Sequence, residues 1–146
     1  MSLQIYESSN VLETARIASQ IAAMVAPGLC ITLEGDLGAG KTTFVRALVE
    51  ALGGNPQSVS SPTFMLLHIY PTGRMTVYHL DAYRVGGSDD FEGIGFSELL
   101  EQDGLVVVEW ASRVRELMPE RRMDIRLTTT GESSRRIEVE SSAPLL

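Results

Sequence analysis

Apolar residues recur at helical spacing near the start of the chain. Asn10, followed by Glu13 three residues later, resembles a capping box, and Pro27 with Gly28 would end the helix. The pattern therefore predicts an amphipathic helix over residues 11–26. Its apolar face comprises Val11, Ala15, Ala18, Ala22 and Val25.

Shorter apolar runs predict the strands. Residues 29–33 and 105–108 form continuous apolar runs, which are typical of strands buried on both faces of a sheet. Turn residues separate two further pairs of apolar segments, and each pair predicts a β-hairpin. The hairpins comprise residues 64–70 with 75–80 around Pro71 to Arg74, and residues 124–130 with 135–140 around Gly131.

The remaining segments predict short helices and loops. A helix over residues 41–52 is stopped by Gly53 and Gly54, and two shorter helices follow. These shorter helices are predicted over residues 96–101 and 111–117. A glycine-rich and acidic loop is expected over residues 86–95, and a frayed tail over residues 141–146.

The composition limits the class of protein. The chain has 146 residues, enough for one domain over residues 1–146, with a formal net charge of −7 and a pI near 4.8. That charge disfavours direct, tight RNA binding. Its apolar runs fall short of the roughly 18 residues that span a bilayer. The N-terminus resembles no secretory signal and Cys30 is the only cysteine, so a cytoplasmic protein without a membrane partner is expected.

A glycine-rich segment between a predicted strand and a predicted helix fits the phosphate-loop pattern. It begins at Gly35 and ends in Gly40, Lys41 and Thr42, and a chain of this composition would contain about 0.001 such matches by chance. Backbone N–H groups of such a loop point at phosphate oxygens, while the lysine reaches the β- and γ-phosphates and the hydroxyl ligates Mg²⁺. The predicted nucleotide-binding residues are Asp36, Leu37, Gly38, Ala39, Gly40, Lys41, Thr42 and Thr43.

Lys41 is the only lysine, since the other eleven basic residues are arginines. A guanine-specific element of the Asn/Thr-Lys-x-Asp type needs another lysine, so ATP is favoured over GTP. A stand-alone small-molecule kinase remains the alternative, although the sequence lacks an arginine-rich insertion that resembles a lid. A nucleotide-binding regulatory module is a third interpretation.

Two acidic residues stand at the ends of predicted strands. Glu109 follows the run Val106 to Val108, and Asp81 ends the segment that begins at Val77. Phosphate-loop enzymes need such an acid to hold Mg²⁺ or to orient the attacking water. The sequence leaves open which of the two carboxylates orients the water.

Five blocks in order carry a resemblance to the TsaE (YjeE) family, the bacterial ATPase of the machinery that makes N6-threonylcarbamoyladenosine (t6A) in tRNA. The blocks are GDLGAGKTT from Gly35, SPTF from Ser61, YHLDAYR from Tyr78, GIGFSELL from Gly93 and VVVEW from Val106. Together they span most of the chain. The resemblance implies an α/β fold of the P-loop NTPase type, with a central, mostly parallel sheet, antiparallel hairpins and flanking helices.

The resemblance also implies cofactors, partners and residue roles. ATP and Mg²⁺ would bind at the phosphate loop, hydrolysis would be slow, and TsaD and TsaB would be the partners, with tRNA reached through their complex. Thr42 and Glu109 would bind Mg²⁺, Lys41 would hold phosphate, and Asp81 would assist hydrolysis or Mg²⁺ binding. The segment from Ser61 to Phe64 would act as a switch, with Ser61 and Thr63 offering hydroxyls. The oligomeric state is left open.

Other conspicuous residues have plainer interpretations. Trp110 and Cys30 are expected in the core, with stacking at the site or contact with a partner as the alternative for Trp110. The two histidines, His68 and His79, are expected to be structural or hydrogen-bonding. The arginine pairs at 121–122 and 135–136 are expected to be solvated surface, with contact to tRNA or a partner as the alternative.

Overall fold

The architecture comes from a computed structural model that describes residues 2–36, 38–59, 66–83 and 85–141. The strands are β1 (Ser2–Ser8), β2 (Cys30–Glu34), β3 (Leu67–Tyr70), β4 (Val77–Asp81), β5 (Leu105–Glu109), β6 (Arg122–Thr129) and β7 (Arg135–Ser141). The α-helices are α1 (Val11–Ala22), α2 (Lys41–Ala51), α3 (Ser88–Gly93) and α4 (Phe96–Leu100). Two 3-10 helices lie at Pro56–Ser58 and Ala111–Leu117.

The strands form one mixed sheet in the order β1-β7-β6-β2-β5-β4-β3. The four central strands, β6, β2, β5 and β4, run parallel to one another. Both edges are antiparallel, because β3 pairs with β4 on one side and β6, β7 and β1 form a meander on the other. The predicted α/β class is confirmed, as are both hairpins, except that residues 64 and 65 of the first lie outside the described residues.

The two faces of the sheet carry separate apolar cores. Helices α1 and α2 cover one face, here called the long-helix face, where Ile31 and Leu33 of β2 point. Helices α3 and α4 and the 3-10 helix at Ala111–Leu117 cover part of the opposite face, here called the short-helix face, where Cys30 lies. Strand β2 is buried because β5 and β6 flank it within the sheet and helices cover the sheet on both faces.

Helix α1 begins as predicted and ends early. The Asn10 side chain accepts a hydrogen bond from the Glu13 N–H at 2.9 Å, and the Glu13 carboxylate accepts one from the Ser9 N–H at 2.8 Å. The helix ends at Ala22 rather than at residue 26. Its buried residues are Thr14, Ile17, Ala18, Ile21 and Ala22. Val11 is 64% exposed, so its predicted place on the apolar face is wrong.

Three local predictions need correction. Strand β1 was not predicted, because its residues Leu3 and Ile5 are exposed and its order comes from pairing with β7. The expected loop at residues 86–95 contains α3, whose buried Phe91 packs its ring against Phe96 at 5.0 Å between centroids. The helix at Ala111–Leu117 is of the 3-10 type and is interrupted by non-helical backbone angles at Val114. Of the expected tail, residue 141 is the last residue of β7, and residues 142–146 lie outside the described residues.

Within the described residues, no helix combines the length and the apolar character needed to cross a membrane.

Candidate functional site

The phosphate loop connects β2 to α2 at the carboxyl edge of the central parallel strands. Gly40 precedes α2 with φ 98°, a left-handed conformation that other residues rarely adopt. At Gly35, an added Cβ would lie 2.9 Å from the carbonyl oxygen of Leu127 on the neighbouring strand β6. The glycines therefore permit both the turn into the helix and the close approach of the loop to the sheet.

Lys41, the first residue of α2, is held among three groups. Its ammonium donates a hydrogen bond to the Gly35 carbonyl oxygen at 2.7 Å and lies 3.9 Å from Oε1 of Glu109. It also lies 4.3 Å from the centroid of the Trp110 ring, a cation–π distance. Lys41 is only 7% exposed, so most of its side chain is shielded from solvent.

The two predicted acidic residues meet at the end of the sheet. Asp81 and Glu109 are register partners in the parallel pair β4–β5. Asp81 accepts a hydrogen bond from the Tyr83 N–H at 2.8 Å, whereas Glu109 is buried. Burial raises the pKa of the Asp81 carboxyl above its ordinary value and Glu109 adds to the rise, while the Tyr83 N–H, Lys41 and His79 oppose it.

A cleft of about 870 Å³ opens over these groups. The predicted site residues that line it are Gly38, Ala39, Gly40, Lys41, Thr42, Thr43, Asp81 and Glu109. Asp36 does not line the cleft; its side chain is exposed, and its carbonyl oxygen accepts a hydrogen bond from the Ala39 N–H at 3.0 Å. Leu37, Ser61 and Thr63 lie outside the described residues.

Two residues in the cleft were expected elsewhere. Trp110, expected in the core, packs partly against the short-helix core but also lines the cleft, and its left-handed backbone, with φ 58°, turns the chain directly after β5. Such backbone angles cost a non-glycine residue of order 1–3 kcal/mol and are common at functional sites. In the sequence, the only indication that Trp110 lies in the cleft is its position directly after Glu109, the acidic residue that ends β5.

Arg135, expected on the solvated surface, contacts the phosphate loop instead. Its guanidinium donates to the carbonyl oxygens of Ala39 at 3.0 Å and Gly38 at 3.2 Å. No local sequence signal marks this contact, because it depends on the placement of the β6–β7 hairpin beside β2. The N-terminal part of α1 also reaches the cleft through Val11 and Thr14.

The donor set of the cleft suits a hard cation better than zinc. In the described part of the chain, no group of three or more His, Cys, Asp and Glu residues could hold a metal ion. Thr42, Asp81 and Glu109 offer only oxygen atoms, and Mg²⁺ binds in proteins through one or two carboxylates together with waters and substrate phosphates. These residues therefore fit Mg²⁺ bound together with a nucleotide.

The plainer interpretations of His79 and Cys30 are confirmed, whereas Arg122, expected on the solvated surface, is partly buried and donates to the Asp124 carboxylate at 3.0 Å. His79 is buried and its Nε2 lies 2.5 Å from Oε2 of Glu109, so it is a hydrogen-bonding residue. Cys30 is buried in the short-helix core, and burial raises the pKa of its thiol to about 12.

Comparisons with known proteins agree with the predicted resemblance. Residues 8–137 match the model of a family described as threonylcarbamoyl adenosine biosynthesis protein TsaE. The tRNA threonylcarbamoyladenosine biosynthesis protein TsaE of Bacillus subtilis (strain 168) is 40% identical over 132 residues, covering 90% of this chain and 82% of the relative. Its namesake in Treponema pallidum (strain Nichols) is 38% identical over 132 residues, covering 90% and 96%.

A solved structure is similar along almost the whole chain. The crystal structure of YdiB from Bacillus subtilis superposes with a TM-score of 0.79 at 32% sequence identity, covering 97% of this chain and 87% of that one. The family model and the relatives both extend across the phosphate loop and the two acidic strand ends. The chain therefore belongs to the TsaE family.

Proposed function

We propose that this protein is a Mg²⁺-dependent ATPase that supports t6A formation in tRNA. The observation that carries the proposal is the distance of 3.9 Å between the Lys41 ammonium and Oε1 of Glu109. Both residues line the cleft at the end of the phosphate loop. The names of the relatives supply the pathway, since they are tRNA threonylcarbamoyladenosine biosynthesis proteins. A role in tRNA modification implies a cytoplasmic location.

In the proposed reaction, the loop and Lys41 bind the phosphates of ATP. The loop N–H groups and the start of α2 favour negative charge, and the Lys41 ammonium adds a full positive charge. Thr42 and Glu109 would hold Mg²⁺, which would supply positive charge to the phosphates. Asp81, opposite Glu109, would orient the attacking water or contribute to the Mg²⁺ site.

The cleft also explains why slow hydrolysis is expected of the isolated protein. The described cleft contains one lysine and one arginine, and Arg135 is occupied by carbonyl oxygens of the loop. A group that stabilises the charge developing on the phosphates would have to come from rearrangement or from a partner. We propose that TsaD and TsaB are those partners and that nucleotide state controls the association.

The proposal is tested by t6A formation over several turnovers. Purified TsaD and TsaB, substrate tRNA and ATP are mixed with the wild-type protein or with its Lys41→Ala variant. Wild type should sustain many turnovers per complex, whereas Lys41→Ala should stop near the yield obtained without this protein. Arg136→Gln, an exposed change outside the cleft, serves as the control variant.

Equal yields with wild type, Lys41→Ala and no added protein would overturn the proposal. A screen for ATP consumption that depends on a small-molecule acceptor would then test the kinase alternative.

A further inference from the structure

His79 is a buried polar side chain without a role in the proposed reaction. It lies on β4 with 0% exposure, and its register partner on β5 is the apolar Val107. Because alternate residues of a strand share a face, His79 points to the same side of the sheet as Asp81, and Glu109 lies diagonally across on β5. The fold therefore places the His79 imidazole next to Glu109, the proposed Mg²⁺ ligand, on the buried side of that carboxylate.

The contact between the two side chains involves one oxygen of Glu109. His79 Nε2 lies 2.5 Å from Oε2 of Glu109. An ionised carboxylate can only accept, so this contact is a hydrogen bond to ionised Glu109 when the imidazole carries a proton on Nε2. The other oxygen, Oε1, is the one that lies 3.9 Å from the Lys41 ammonium. The two oxygens thus face different partners, one in the core and one in the cleft.

The imidazole is itself held from the side opposite Glu109. The Tyr70 hydroxyl on β3 lies 3.5 Å from Nδ1 of His79, at the outer limit of hydrogen-bond distance, and 3.2 Å from Nδ1 of His68. The rings of Tyr70 and His79 lie 6.0 Å apart between centroids. Because the His79 side chain is fully buried in a close-packed interior, its ring has little room to rotate about its side-chain bonds.

We propose that His79 is a positioning residue that fixes the carboxylate of Glu109 by holding Oε2, so that Oε1 stays directed toward Lys41 and the phosphate end of the cleft. The inference rests on the proposed function, because it assigns His79 to the same ATPase site. Side chains that orient metal ligands in this way typically change metal affinity or activity about 10- to 100-fold when they are removed.

The test compares two substitutions of His79 whose side-chain amide nitrogens lie at different distances from the backbone. In His79→Gln, the amide nitrogen lies about as far from the backbone as Nε2, so a donor to Glu109 is kept. In His79→Asn, the amide nitrogen lies nearer the backbone, at about the place of Nδ1, and cannot reach Oε2. Val107→Ala is the matched control, because it opens a cavity beside His79 and leaves the donor in place.

Three quantities are measured for each variant: the kcat for ATP hydrolysis at saturating Mg²⁺, the affinity for a fluorescent ATP analogue in EDTA, and the thermal midpoint of unfolding. We expect His79→Asn to lower kcat at least about tenfold, with affinity in EDTA within about twofold of wild type. His79→Gln should recover most of kcat. Val107→Ala should lower the midpoint and leave kcat within about twofold of wild type.

Two outcomes would overturn the inference. One is an unchanged kcat in His79→Asn. The other is an equal loss of kcat in His79→Asn, His79→Gln and Val107→Ala, since the loss would then follow stability rather than the donor.

A readout independent of hydrolysis separates this inference from the proposed function. The Nε2–H proton of a histidine that donates to a buried carboxylate is protected from solvent and resonates far downfield in the proton NMR spectrum. Wild type and Val107→Ala should show this resonance, and Glu109→Ala should lack it. Absence of the resonance from wild type overturns the positioning role, whereas a wild-type protein that shows it but lacks Lys41-dependent hydrolysis overturns the ATPase proposal alone.

Discussion

The two faces of the sheet are packed unequally. On the long-helix face, α1 and α2 supply helices of 12 and 11 residues, and the described core there has 25 buried residues. On the short-helix face, α3 and α4 have six and five residues, and the core has ten. Each face nevertheless contains fully buried aromatic side chains, such as Phe44 and Phe91.

The candidate site belongs to the better packed face. Lys41 begins α2, and His79 and Glu109 point to the side of the sheet that α1 and α2 cover. The helix that presents the charged group to the cleft also supplies core residues such as Leu48 one turn or more beyond it. Packing on this face therefore positions Lys41, His79 and Glu109, whereas the short-helix face contributes to the site through Trp110, which packs partly against its core.

The largest expected effect concerns the reactivity of the Cys30 thiol, which is buried in the short-helix core. Burial raises the pKa of this thiol to about 12, so at pH 8 only about one thiol in ten thousand is ionised, against about a quarter at an ordinary pKa near 8.5. The folded protein should react with a thiol reagent at least about 1,000-fold more slowly than the protein in denaturant. Labelling of the folded protein above about a hundredth of the denatured rate would show that this face opens.

The second prediction compares matched truncations on the two faces. Phe44→Ala and Phe91→Ala should each lower the free energy of unfolding by about 3–5 kcal/mol, because both rings are fully buried. Only Phe44→Ala should also weaken ATP binding, by about tenfold, since Phe44 lies in the first turn of α2. Denaturant unfolding and nucleotide titration check both effects. Equal affinities in the two variants would break the proposed link between the long-helix core and the site.

The third prediction concerns Arg135, which joins the β6–β7 hairpin to the phosphate loop. Arg135→Gln removes charged hydrogen bonds to the carbonyl oxygens of Gly38 and Ala39, and ATP affinity should fall about tenfold. Arg136→Gln is the matched control, because that neighbouring arginine pairs with Glu7 outside the cleft. Isothermal titration with ATP distinguishes the two. A similar affinity in both variants would mean that the loop holds its shape without Arg135.

The smallest expected effect concerns the cap of α1 on the long-helix face. Asn10→Ala removes the side chain that accepts from the Glu13 N–H, and such caps contribute about 0.5–2 kcal/mol. The denaturant midpoint should fall accordingly, with no change in the slope. Gln20→Ala, an exposed change within the same helix, should have less effect, and a larger loss there would contradict the capping role.

The elements with strong local signals were predicted from the sequence. The cap at Asn10, the buried run of β2, the phosphate loop before α2 and the turn at Gly131 each depend on neighbouring residues. Strand β1 gave no such signal, because a partly exposed edge strand lacks the alternation that burial imposes. Helix α3 was also missed, since its six residues are held by Phe91 in the core rather than by local propensity.

The sequence by itself determined the types of groups in the site: a phosphate loop with a single lysine, and two acids at strand ends. Those features are local, because a glycine-rich loop and an acidic residue after a strand are each recognised from residues that are neighbours in the sequence. Only the tertiary structure decided that Asp81 faces Glu109, that His79 holds one oxygen of Glu109, and that Arg135 reaches the loop. Strand order and register set these contacts, and they arise from the packing of segments that lie far apart in the chain.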